Sequence, residues 1–105
     1  MKIHYYQDPG HGWIKVPKKK LVELGIHTEI SRYSYMRGSF AYLEEDCDAP
    51  RFINALKAHG ETYETVEHHA DRRSPIRGYE HYLGGVVIDK LIDGMILRIP
   101  GSDER

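Results

Sequence analysis

A chain of 105 residues, 40% hydrophobic and 30% charged, has the composition of one globular domain rather than of a disordered segment. A formal net charge of −1 with seven histidines argues against a dedicated DNA-coating protein, names no partner and leaves local patches of either sign open. The single cysteine, Cys47, excludes an internal disulfide and fits a reducing, cytoplasmic setting. No run approaches the ~18 apolar residues of a membrane span, and MKIHYYQDPG lacks the apolar core of a signal peptide.

Lys2 to Tyr6 reads as a strand that ends in the turn residues Asp8-Pro9-Gly10, and Trp13 to Val16 reads as a second. Residues 2–16 thus suggest a hairpin with a Gly-rich connection. Pro17 suits the first turn of a short helix whose apolar side is Leu21, Val22 and Leu24. Gly25 ends it, and Ile26 is placed to fold back on Leu21 in a Schellman-type cap.

The central stretch is Ser31 to Asp48, a hairpin running into an acidic corner that starts a helix. With Arg37-Gly38 as a two-residue turn, Tyr35 opposes Phe40 and Tyr33 opposes Tyr42, so these four aromatics share a face. The other face carries Arg32, Ser34, Ala41 and Leu43. A three-residue loop mixes the faces, and the sequence leaves that register open. Asp48 suits an N-cap, Pro50 the first turn, and Ala49, Phe52, Ile53 and Leu56 form one helical stripe closed by Gly60.

Thr62 to His68 reads as a further strand, 69–78 as a polar, basic loop, and Tyr79 to Leu83 as either a helical turn or extended chain. In the apolar stretch 84–99, Asp93-Gly94 signals a hairpin, with a helix over 86–93 followed by a strand over 95–99 as the competitor. Residues 100–105 form a tail. The expectation is one domain over 1–105: a core over 2–83, the apolar extension 84–99 and the tail. Its class is α+β, an antiparallel sheet with two helices packed on one face. From Trp13 to His68 the order strand, helix, strand, strand, helix, strand is that of a split βαβ, ferredoxin-like unit.

Charge and aromatic clusters nominate the sites. Glu44, Glu45 and Asp46, with Arg37, Tyr35 and Tyr42, form a candidate partner-binding surface. Lys15, Lys18, Lys19 and Lys20, joined by Arg72, Arg73 and Arg77, form a candidate anion or nucleic-acid surface. His11 and Trp13 sit in a loop with room for a ligand. Arg37-Gly38-Ser39-Phe40-Ala41-Tyr42 carries its aromatics one position away from the RNA-recognition signature and does not match it. The acids lack the alternating spacing and Gly bend of a calcium loop, and the histidines lack a metal-ligand spacing. No nucleophile, phosphate-loop or dinucleotide motif is present, so the residues nominate neither catalytic groups, nor a metal, nor a cofactor.

Four segments carry a resemblance: Asp8-Pro9-Gly10-His11-Gly12-Trp13-Ile14-Lys15-Val16-Pro17, Ser31-Arg32-Tyr33-Ser34-Tyr35, Tyr42-Leu43-Glu44-Glu45-Asp46-Cys47-Asp48 and Arg73-Ser74-Pro75-Ile76-Arg77. Over residues 3–82 the chain resembles small accessory proteins carried by phages and plasmids, mostly without assigned function. The resemblance implies a mobile-element setting, action in the cytoplasm of the host cell, and a host or phage protein complex as partner. The leading expectation is a protein-binding module inhibiting a host defence complex, anti-CRISPR-like. The alternatives are a nucleic-acid-binding accessory or regulatory protein and a small enzyme or nucleotide-binding protein using His11, His69 or the acidic corner. A homodimer through Val86 to Ile99 would cover that segment's second apolar face; burial within the monomer is the other solution.

Overall fold

Alternating side chains on either side of Asp8-Pro9-Gly10-His11 build the first hairpin. In the computed structural model, which describes residues 1–83, it comprises β1 (Lys2–Gln7) and β2 (Gly12–Pro17), antiparallel with Tyr5 opposite Ile14. There follow α1 (Lys18–Glu23), β3 (Tyr35–Arg37), β4 (Phe40–Glu44), α2 (Asp48–Ala58), β5 (Glu64–His69), a 3₁₀ turn (Pro75–Gly78) and β6 (Glu80–His81). The fold is α+β, with a six-stranded mixed sheet in the order β5-β1-β2-β4-β3-β6. Tyr79 to Leu83 resolves into extended chain at its centre, where Tyr35 pairs with His81. The expected C-terminal hairpin or helix–strand, the extension, the tail and the dimer contact lie outside the described residues.

The ferredoxin-like order is not the one adopted. A split βαβ unit would set the strand after its second helix directly against its first strand, β5 against β2. Here β1 lies between them, antiparallel to β2 and parallel to β5. It is the sheet's second position, and the parallel β5 pair is reached through the crossover helix α2.

Both helices pack on one face. Ile3, Val16, Met36 and Leu43 from the sheet meet Leu21 of α1 and Phe52 and Leu56 of α2 in a single buried cluster. The stripe expected on α2 is realised, and each such fully buried large side chain contributes about 1.5–3 kcal/mol. Both helices end in the Schellman pattern. Ile26 N–H donates to the Leu21 carbonyl at 3.0 Å, and Glu61 N–H to the Leu56 carbonyl at 3.1 Å.

The central hairpin is offset by one residue from the expected register. Arg37 opposes Phe40, Met36 opposes Ala41 and Tyr35 opposes Tyr42, so Gly38-Ser39 is the two-residue turn. Gly38, with φ of 59°, takes the first central position, where a II′ turn requires glycine. Tyr35, Phe40 and Tyr42 still share a face, now with Arg37, whereas Tyr33 leaves the sheet and is 79% exposed. The reason is Ser34, which is fully buried and bonded to Asp48 rather than laddered against Ala41. Replacing Gly38 by alanine is expected to cost roughly 1–2 kcal/mol, because an L side chain is strained at positive φ. Ser39→Ala should stay within about 0.5 kcal/mol. Urea denaturation of the two variants checks the assignment, and equal losses would contradict it.

Candidate functional site

The four motif segments meet at one end of the sheet, held by carboxylates with internal duties. The Asp8 side chain has no exposed surface and lies 2.7 Å from Arg77 Nε. It accepts from Arg77 Nε and Nη2 and from the backbone N–H groups of Gly10, His11 and Ser74. The Arg77 guanidinium, against the opposing effect of burial, and the N–H groups of Ser74, His11 and Gly10 hold its carboxyl well below the usual carboxylate range. Asp8 thus ties the loop before β2 to the 3₁₀ turn, and Arg77 lies 5.7 Å from the Trp13 ring centroid.

Asp48 is not the N-cap that its position suggests. Cys47 holds the cap position, and the fully buried Asp48 carboxylate makes its hydrogen bonds to the 31–34 segment, with Arg51 Nη1 of its own helix 3.7 Å away. It accepts from Ser31 N–H, Ser31 Oγ at 2.7 Å and Ser34 Oγ at 2.6 Å. Ser34 Oγ in turn accepts from Glu44 N–H at 3.0 Å. The capping role falls to Glu44, whose carboxylate accepts from the N–H groups of Asp46, Cys47 and Asp48 at 2.7–2.8 Å. Glu45 is also engaged, accepting the Tyr5 hydroxyl at 2.5 Å, and burial followed by this bond raises the Tyr5 pKa. Only Gly12 allows that approach: a Cβ there would lie 2.6 Å from Tyr5 Oη and 2.7 Å from Glu45 Oε1.

These contacts frame a cleft of about 230 Å³ lined by His11, Gly12, Trp13, Tyr33, Tyr35 and the acids Glu44, Glu45 and Asp46. The structure therefore joins the candidate ligand loop to the candidate acidic surface, which the sequence presents as separate. Trp13 is buried, its ring edge-on to Tyr35 at 6.2 Å, while His11 and Asp46 are exposed. Tyr42 does not belong to the contact surface. It is 8% exposed, packed against Tyr79 and clustered with Ile76, and burial raises its pKa. Arg37 lies apart from the acids, 5.0 Å from the Tyr79 ring. Tyr33 is the cleft residue that sequence periodicity assigned to the sheet; the exposed ring has no sequence signal of its own.

The seven basic residues do not act as one patch. Lys18 is 2% exposed, and burial, partly opposed by Glu80, lowers its pKa. Lys20 pairs with Glu61 at 2.9 Å and Glu23 at 3.6 Å, and the Glu61 bond raises its pKa. Arg77 is held by Asp8. Lys19, Arg72 and Arg73 are exposed, and Lys15 lies over Phe40 at 4.3 Å on the sheet face away from the helices.

That same face carries a group which the sequence does not signal. His4, Tyr6 and His68, brought side by side by the parallel β1–β5 pair, stack with Tyr6 and His68 centroids 4.5 Å apart. Among the described residues no three His, Cys, Asp or Glu converge as metal ligands, and no helix is long and apolar enough to cross a membrane. Comparison with known proteins returns no matching family model, no matching curated protein and no matching solved structure.

Two expectations follow for the scaffold. Asp48→Ala strands the buried Ser34 hydroxyl and the half-buried N–H and hydroxyl of Ser31 and is expected to cost about 3 kcal/mol, whereas Asp46→Ala at the exposed neighbour stays within about 0.5 kcal/mol. Chemical denaturation measures both. For Asp8 the folded pKa is depressed, so its stabilisation is complete above the ordinary aspartate value of about 4 and is lost as pH falls below it. Asp8→Asn should therefore unfold at a lower temperature at pH 7 and show a smaller further loss between pH 4 and the acid limit than the wild type, as read by thermal melts.

Proposed function

We propose that the chain is a protein-binding module whose contact surface is the cleft at the end of the sheet, and that the cleft takes a basic side chain of its partner. The observation carrying this reading is the meeting of the exposed Tyr33 ring and the Tyr35 ring with the carboxylates of Glu44, Glu45 and Asp46, while no Lys or Arg among the described residues lines the cleft. Carboxylates beside aromatic faces favour a guanidinium or ammonium through charge and cation–π attraction. Exposed tyrosine beside a rigid scaffold is also the residue type that concentrates interface energy. Rigidity comes from within, since Glu44 and Glu45 are already oriented by backbone N–H groups and Tyr5, so little ordering cost falls on binding. The resemblance to phage- and plasmid-borne accessory proteins supports a host defence complex as the target, bound and blocked rather than chemically altered.

Because Glu44 caps α2, reversing it would confound folding with binding. Tyr33→Ala and Asp46→Lys alter exposed groups instead. Each is expected to lower the amount of partner retained from a phage- or plasmid-bearing host by roughly tenfold or more, which corresponds to about 1.4 kcal/mol. Glu64→Lys, exposed on β5 outside the cleft, should retain the partner like the wild type. Equal retention by the folded Tyr33→Ala and Asp46→Lys baits would remove the cleft from the interface.

A further inference from the structure

The described residues cover the sheet face opposite the helices only in part. Ile76, on the 3₁₀ turn, packs on Trp13 and Tyr42 at the centre, and Tyr79 closes over Tyr42. Between this strap and the β1–β5 edge lies a groove of about 300 Å³, walled by Tyr6, Tyr42, His68, Ile76 and Tyr79 with Lys15 among them. That volume suits one nucleoside-sized group. Among the described residues its lining contains a lysine and two histidines and neither aspartate nor glutamate. Cations continue beyond it: Arg37 lies over Tyr79, Lys15 over Phe40, and exposed Arg72 and Arg73 lie on the chain between the groove residues Ala70 and Ser74. Acids border this face without lining the groove: Asp71 precedes Arg72 on the exposed segment, and Glu67 lies 3.4 Å from His69, so the positive charge is local to the groove and to Lys15, Arg37, Arg72 and Arg73.

We propose that this face binds single-stranded nucleic acid, one base entering the groove beside the Tyr6–His68 stack and the flanking phosphates lying on Lys15, Arg37 and the Arg72–Arg73 segment. A flat, polarizable ring fits between aromatic walls, and the cations along the rim follow a phosphate backbone; the two features together distinguish a strand from an apolar peptide. A duplex keeps its bases stacked inside and offers no ring to the groove. This site is separate from the acidic cleft and does not depend on its role.

The test is fluorescence anisotropy with the full chain and labelled single strands, dT and rU, of about 12 nucleotides, at about 50 mM salt. Saturable binding is expected, with a duplex of the same length and free thymidine monophosphate each at least tenfold weaker. Lys15→Gln and Arg37→Gln should each weaken binding and each reduce the salt slope by about 0.7, the value for one phosphate contact with a single strand. Tyr6→Leu, which keeps apolar bulk but removes the ring, should weaken binding roughly tenfold without changing the salt slope. Asp46→Lys and Tyr33→Ala should lose no affinity. Absence of binding at low salt, a duplex or the mononucleotide bound as tightly as the strand, or unchanged affinity in Lys15→Gln and Arg37→Gln would each overturn the proposal. Those last two substitutions carry the test if Tyr6→Leu fails to fold.

Discussion

The buried carboxylate of Asp48 is the interaction around which the functional end of this fold is arranged. A charge removed from water must be met by donors or it is unaffordable to the fold. Ser31 and Ser34 meet it, which pulls the 31–34 segment against the start of α2 and takes Ser34 out of the hairpin ladder. The same bond sets the hairpin register. With Ser34 committed, β3 begins at Tyr35 and the turn moves to Gly38-Ser39. Tyr33, left outside both the ladder and the core, is turned to solvent beside the acidic corner.

Asp8 plays the matching part on the other side of the cleft. Arg77 and three backbone N–H groups satisfy it, and the loop carrying His11 is thereby pinned to the 3₁₀ turn carrying Ile76. The cleft and the groove on the sheet face thus share one support: Arg77 contributes to the wall behind Trp13, and Ile76 to the strap over Tyr42. Carboxylates at three of the motif positions are structural for this reason. Glu44, Asp48 and Asp8 direct their oxygens at backbone and hydroxyl donors, while Asp46 and Tyr33 are free to present a surface.

The sheet separates two chemistries. Among the described residues, one face is apolar and packed by both helices; the other is aromatic, edged with cations and covered at its centre by the 70–79 segment. The strand order produces this division. Inserting β1 between β5 and β2 aligns His4 and Tyr6 with His68 and widens the open face by one strand. A split βαβ arrangement without that insertion would have set β5 directly against β2 and left the three rings unassembled.

What the sequence determined by itself is what local chemistry controls. Alternation placed β1, β2 and β4, the Ala49–Leu56 stripe placed α2, and Gly25 with Ile26 placed the Schellman end of α1. The α+β class followed from their order, whereas the sequence presented Glu44 and Glu45 apart from His11 and Trp13, which the fold brings into one cleft. Tertiary structure alone decided which of these groups are spent internally. Lys18, Arg77, Tyr42 and Asp48 look like surface residues in the sequence because their burial and pairing depend on partners distant in the chain. The hairpin register turned on one serine hydroxyl, and the His4–Tyr6–His68 stack on a parallel pairing between strands about sixty residues apart. Periodicity reports which face a residue takes, but long-range hydrogen bonding decides whether its charge is still available once it is there.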